Sequence, residues 1–580
     1  MRNKLIWTAS AAAVLAIPAI AQQAAPPQTA PTTSQPAQSV PVAAQPSSAA
    51  SPGGAAESAV EEVSALNLPP PAPPVEYPGW ARRDLWTVGS LTPEAAGINE
   101  GAWGRANGPF LSTLMRRMRT PLASRWAHIA MRDALLAKLR APPNVNPVDW
   151  VAERAWLLLR MGEADAARML VAGVDVDRFT PKMTQVAVQS ALASGDPPAL
   201  CPLEDGIKKY DAGVVRLVQA MCASLAGQPE SAAAMIDQAR RYGRIGGVDL
   251  TLAEKVVGAG ASGRTATIEW DPVDNLTAWR FGLATGTGAA PPDRLMNAAS
   301  PQLRAFQARA PLLSAQQRLP SAMIAAGMGV FSSQTMVDLY SSIYDSTDPS
   351  DLPDTDAWQL RLAFVGKDAG ARLAAIRKLL ATGKDGFQKE AARAVVARAA
   401  TLVQPSEDLG KDAPDLISAM LAGGYDQAAA RWIPVVGSMD DSDNDRCWAM
   451  LALAAPNVNE VPAGRISGFI RRDQSREKGR SALLVAGLFG LGRISADTAN
   501  SLNSRYGLGL GRASSWTRMI DAAAGRGQGG TVLVLTGTGF QTRAFDQVPA
   551  AHLYHAVAAL NRTGQGFTAR MIAAEALSRT

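Results

Sequence analysis

Six short segments carry residue types and spacings that could do chemistry. Gly258-Ala259-Gly260-Ala261-Ser262-Gly263-Arg264-Thr265 has the glycine spacing of a loop that wraps phosphate with backbone N–H groups. That chemistry calls for lysine where Arg264 stands, so a turn between helices is expected. Gly537-Thr538-Gly539 follows the apolar run Thr531–Leu535 and supplies two glycines of a dinucleotide turn. Thr542 takes the third place, and no βαβ alternation surrounds it. Ser475-Arg476-Glu477-Lys478 sets a lysine one turn after a serine, the spacing at which an amine activates a hydroxyl. No Lys-Thr-Gly triplet accompanies it, and its densely charged surroundings predict a solvated face. Asp441-Ser442-Asp443-Asn444-Asp445 alternates oxygen ligands as a calcium loop does, yet Arg446 stands at the turn glycine and Ala452 at the closing glutamate. Asp348, Asp351 and Asp354 make a second acidic loop. His552 and His555, three apart, could ligate a metal but lack acids at ligand spacing, and His128 stands alone. No catalytic, cofactor or metal site is predicted.

The elements that would hold such residues begin with an address. Arg2 and Lys4 open the chain, an apolar run spans Leu5 to Ala19, and Ala19-Ile20-Ala21 places small residues where a signal peptidase reads. Cleavage between Ala21 and Gln22 is expected, giving a periplasmic or secreted protein without a transmembrane anchor; retention as an anchor is the alternative, disfavoured by the short, Ala-rich run with Pro18 near its end. This address excludes nucleic acid and cytosolic cofactors as partners. Residues 22–78 are Pro, Ala, Gln, Ser and Thr, a composition that cannot bury enough surface to offset its ordering entropy, so a solvated arm is expected.

The whole chain has 57 Lys and Arg against 51 Asp and Glu. Removing Arg2 and Lys4, and setting aside an arm with four acids and no bases, leaves about +8 on the folded part. That excess is compatible with an acidic envelope polymer and equally with solubility alone. In an oxidising compartment Cys201 and Cys222 are a plausible disulfide, worth roughly 3 kcal/mol in the chain-entropy model. Cys447 reads as a buried free thiol.

Residues 79–108, rich in Gly and Trp without a period, predict an irregular lead-in, and helical recurrence follows through 109–260, 261–405 and 406–580. Thr531–Leu535 is strand-like by propensity but lacks a partner strand, so a buried helix is expected there. A phrase recurs. Gly162-Glu163-Ala164-Asp165-Ala166-Ala167-Arg168-Met169-Leu170 and Gly564-Gln565-Gly566-Phe567-Thr568-Ala569-Arg570-Met571-Ile572 share a leucine four residues before the glycine and Ala-Arg-Met-aliphatic after it. Looser copies start at Gly227 and Gly424. Each has the logic of an αα-hairpin: glycine ends one helix, and small residues let the next pack closely.

These windows resemble degenerate tetratricopeptide-type repeats and, more loosely, secreted helical proteins of Gram-negative bacteria. The resemblance implies an all-α, helical-hairpin repeat array (an α-solenoid) behind the leader and arm, and an interaction scaffold for a protein, peptide or envelope polymer. Two alternatives stay open: an envelope enzyme acting on peptidoglycan or another glycan, and an assembly factor of an outer-membrane complex. Lytic transglycosylases use a Glu-Ser pair; Glu57-Ser58 lies inside the arm, where burial cannot raise the acid's pKa.

Overall fold

Ala- and Leu-rich stretches punctuated by Gly and Pro fold as helices throughout, from Gly108–Arg117 to Gly566–Ser578. The computed structural model describes residues 78–580 except 210–211, 244, 261–265 and 385. The expected leader 1–21, its expected cleavage point Ala21/Gln22 and the expected arm up to residue 77 lie outside the described residues, as do Ala261 to Thr265 of the glycine-rich segment. The chain divides into two units, and the larger contains all of Arg83–Thr580. Segments 109–260, 261–405 and 406–580 are therefore parts of one unit. Among the described residues there is no strand, only a parallel bridge between Leu91 and Ala137. No described helix is long and apolar enough to cross a membrane.

The four recurrent windows fold alike. Gly162, Gly227, Gly424 and Gly564 have φ of 106°, 78°, 82° and 84°, the left-handed region that a side chain disfavours. In each the next N–H bonds the carbonyl five residues back: Glu163 to Leu158 (2.8 Å), Gln228 to Ala223, Tyr425 to Met420 and Gln565 to Leu560 (each 2.9 Å). This closure satisfies carbonyls that the helix end would leave bare. Gly195, Gly288, Gly329, Gly492 and Gly527 close identically. The phrase missed them because the residues after the glycine vary while the backbone turn does not.

Thr531–Leu535 lies within helix Gly529–Gly539, nearly all of it buried. Its β-propensity yields to packing. A Cβ at Gly537 would collide with Met131, so the Gly-x-Gly that suggested a dinucleotide turn serves close helix approach. Helix Arg125–Leu136 ends where Ala137 and Lys138 turn to pair with Leu91.

Element contacts depart from linear stacking, in which each repeat touches its neighbours alone. Helix Arg125–Leu136, the hub helix, packs against its successors Pro147–Met161 and Ala164–Ala172. It also packs against Ala315–Met328 from mid-chain and against Gly529–Gly539 and Gly566–Ser578 from the far end. The irregular lead-in bridges the same ends: Thr531 N–H donates to the Ala102 carbonyl (3.2 Å), Asn99 Nδ2 to that of Gly527 (3.0 Å), and Trp103 meets Trp150 edge to face.

The hub helix is held at its N-terminus by one carboxylate. Glu575 accepts from Ser124 Oγ (2.5 Å), Arg125 N (2.8 Å) and Trp126 N (3.3 Å), adding to the local cap in which Ser124 Oγ accepts from Ala127 N (3.0 Å). Arg579 Nη1 also donates to it (2.7 Å). The buried Arg125 side chain reaches outward to three carbonyls: Ala326 (2.9 Å), Phe331 (3.2 Å) and Ala422 (2.6 Å). Burial lowers its guanidinium to about 10, against the pull of Glu575 and then Glu390, so it stays charged at neutral pH.

Arginine ends other helices in the same way. Arg154, fully buried, donates to Leu135, Val88 and Ala137 at the far end of the hub helix. Arg160 closes Gly108–Arg117 through Met115, Arg116 and Met118, and Arg493 closes Asp441–Ala454 through Ala452 and Ala455. Cys201 and Cys222 are joined by a disulfide (Cα–Cα 5.7 Å) that ties the Pro197–Leu203 segment to helix Ala212–Leu225.

Glu575→Ala leaves Arg125 and Arg579 buried without their nearest carboxylate and removes an acceptor from the start of the hub helix, whose local cap Ser124 remains. Urea unfolding followed by circular dichroism is expected to show a loss of about 3–5 kcal/mol. The same change at exposed Glu407 is expected to leave the midpoint in place.

Candidate functional site

The residues singled out by spacing are mostly absorbed into structure. Ser475 precedes and Lys478 ends a short 3-10 turn, and both are half-buried. Lys478 Nζ donates to the Asp473 carbonyl (2.5 Å), and Ser475 Oγ accepts from the Arg480 N–H (3.0 Å), so the amine does not serve the hydroxyl. Ser442-Asp443-Asn444 has the Ser-x-Asn spacing that can accompany a Ser-x-x-Lys nucleophile, a match the sequence reading missed. Its Asn444 is committed to Val436 and Arg465.

Asp441 and Asp443 occupy the first turn of a helix, where negative charge suits the dipole. Asp445 binds Arg465 and Arg472 at 2.6–2.8 Å; burial opposes its ionisation, but these hydrogen bonds hold its pKa below the usual range. His552 stacks on Trp516, while His555 Nδ1 lies 2.9 Å from Asp521, so the two imidazoles have different partners. His128 Nε2 sits 2.9 Å from Glu163, which anchors the Gly162 turn to the hub helix. A second Glu-Ser pair, Glu230-Ser231, opens helix Pro229–Tyr242 with Glu230 exposed. Among the described residues no group of three or more His, Cys, Asp or Glu is placed to hold a metal ion.

What the fold does open is a groove of about 600 Å³, within the size range of ligand sites. The lead-in and the first turn of Gly108–Arg117 supply one wall, with Arg105 and Phe110. Helix Ser515–Gly525 supplies the other, with Arg518 and Met519, and Thr531 and Leu535 of the next helix reach its floor. Two features of the local sequence produce this. Ser515–Gly525 is amphipathic, burying Ile520, Ala523 and Ala524 and leaving Met519 and Ala522 toward the groove. The lead-in cannot withdraw, because Asn99 is bonded to the turn that follows this helix and Ala102 to the first turn of the next.

Arg518 and Arg526 stand eight residues apart on the groove face, about 12 Å along a helix axis. Arg105 faces them from the other wall. All three are exposed, and among the described residues none has a carboxylate within ion-pair distance. Phe110 is 39% exposed beside them. The groove thus offers an apolar floor with cations at both ends, suited to an elongated amphipathic anion rather than to one compact headgroup. It joins residues more than 400 positions apart, and the only local signal was the amphipathic pattern of Ser515–Gly525.

Cys447 is buried, and burial pushes its thiol up to about 12, with Arg446 opposing and Asp443 adding to the rise. Native protein near pH 8 is expected to resist iodoacetamide at this thiol, since the thiolate is the nucleophile. Mass spectrometry should find the adduct only after unfolding in guanidinium; prompt native labelling would contradict the burial. No family model matches the chain, and no significantly similar curated protein or solved structure is found.

Proposed function

We propose that the protein is a non-catalytic binding scaffold of the periplasm that holds an acidic amphipathic segment of a partner protein in the Arg105–Arg518–Arg526 groove. The observation that carries this reading is the pairing of an apolar floor with three cations that have no acid of their own among the described residues. Binding draws on burial of the partner's apolar stripe against Phe110, Met519 and Leu535, while the arginine rim selects acidic over basic segments. The 12 Å separation of Arg518 and Arg526 suits acids about two helical turns apart.

A periplasmic site of action rests on the leader-like start and is supported by the Cys201–Cys222 disulfide, since such bonds persist in oxidising compartments. Most glycoside hydrolases set two carboxylates across an open cleft. Glu390 and Glu575, which come together near the hub helix, instead hold arginines around a cavity of about 10 Å³. This favours binding over hydrolysis.

A fluorescein-labelled acidic amphipathic peptide of about 15 residues is expected to bind the purified chain, and its Lys-for-Glu counterpart is not. The triple change Arg105→Gln, Arg518→Gln and Arg526→Gln is expected to weaken binding about tenfold or more, or 1.4 kcal/mol per tenfold. Equal anisotropy with both peptides, or no loss in the variant, would sink the groove assignment. In a Gram-negative host, osmotic-shock release of protein whose intact mass begins at Gln22 is expected, and retention of the chain in the cytoplasmic fraction would remove the periplasmic part of the proposal.

A further inference from the structure

A second concavity, of about 390 Å³, is lined by Lys389, Arg393, Arg446, Arg480, Arg543 and Arg579, and Glu390 is its one acidic lining residue among those described. Thr580, the last residue of the sequence, sits at its edge. The cations come from separate elements. Lys389 and Arg393 are on Gly386–Ala400, Arg446 on Asp441–Ala454, Arg480 on Gly479–Gly490, Arg543 in the segment after Gly529–Gly539, and Arg579 just past Gly566–Ser578. Nothing local brings them together; the packing of these helices does.

Two of the six are neutralised. Arg393 donates to Glu390 at 2.6 Å, and Arg579 to Glu575 at 2.7 Å. A third, Arg446, makes longer ion pairs with Asp415 (3.7 Å) and Asp443 (3.9 Å). The other three are not neutralised. Lys389, Arg480 and Arg543 have no ion-pair partner among the described residues. Arg480 Nε is buried with no acceptor. Burial lowers the Arg480 pKa, Asp473 pulls it back, and the neighbouring Arg446 lowers it again, as expected where like charges converge.

The contrast with the rest of the chain gives this cluster its meaning. Arg125, Arg154, Arg160 and Arg493 also lack a close carboxylate for their side chains, and each donates instead to carbonyls at helix ends. The side chains of Arg480 and Arg543 do neither. Unpaired cations gathered in a concavity repel one another, and no packing or capping role explains them.

We propose that this pocket is a binding site for a phosphate-bearing anion of at least two charges. Arginine forks match the geometry of phosphate oxygens bidentately, and the surrounding helices hold several of them in fixed directions. Glu390 and the Glu575–Arg579 pair lie at its inner end, next to Arg125, so the ligand would sit against the knot that holds the hub helix. This site shares no residue with the Arg105–Arg518–Arg526 groove and stands without it.

Isothermal titration with inorganic pyrophosphate tests a free anion, and co-sedimentation with phosphatidylcholine vesicles containing phosphatidic acid tests a lipid headgroup. Saturable binding in either arm, weakened about tenfold or more by Arg480→Gln with Arg543→Gln in protein of unchanged circular dichroism, supports the site and identifies its source. Arg543→Gln alone, on an exposed residue, gives a second reading should the double variant fold poorly. The control Arg518→Gln is expected to leave pyrophosphate affinity unchanged, which separates this pocket from the groove. Absence of binding in both arms, or binding indifferent to both Arg543→Gln and the double variant, overturns the proposal.

Discussion

Buried arginine bonded to helix-end carbonyls is the interaction on which this architecture depends. A helix exposes four carbonyls at its C-terminus, and in an array of short helices most of those ends meet other helices rather than water. Glycine turns close some of them from within the same chain segment. Others are closed from a distance by guanidinium groups, which carry five donors and suit a partial negative charge. Arg125 is the extreme case: one side chain donates to carbonyls of three mid-chain residues, while its own backbone N–H donates to a carboxylate from the last helix. Removing a fully desolvated guanidinium from water is costly, so the arrangement persists because every nearby donor and acceptor depends on it.

That knot explains why the chain departs from an open stack. The Gly162 turn reaches the hub helix through Glu163 and His128, the Gly329 turn lies against Arg125, and the Gly424 turn lies against Trp126. Three hairpin turns far apart in sequence thus converge on one helix start. Helices that follow one another still pair as hairpins, which is local physics. Which hairpin ends meet is decided by the hub.

The same accounting changes the meaning of the positive charge. Composition showed a mild excess of bases without distinguishing solubility from binding. In the folded chain the arginines fall into different environments: some end helices, some pair with acids such as Asp445 or Asp426, and some remain without an acid around concave surfaces. The groove and the cationic pocket stand out because several of their arginines gather around concave surfaces without such structural partners.

Much of the local structure was legible in the order of residues. Helix class, the glycine turns at 162, 227, 424 and 564, the irregular lead-in and the helical nature of Thr531–Leu535 follow from propensity, periodicity and the αL requirement of a tight turn. All of these act over a few residues. Even so, five further turns with the same backbone closure, at Gly195, Gly288, Gly329, Gly492 and Gly527, escaped notice, since side chains after the glycine are free to vary. The spacing motifs misled because proximity in sequence is not proximity of functional groups: Lys478 faces a carbonyl, and the glycines at 537 and 539 serve packing against Met131 and Trp516. Tertiary structure alone decided that residue 125 would meet residue 575, that a wall from residue 105 would face one from residue 518, and that arginines from separate helices would share a pocket. The physical reason is range. Hydrogen-bond closure of a turn is encoded within six residues, whereas burial of a charge depends on every segment that excludes water around it.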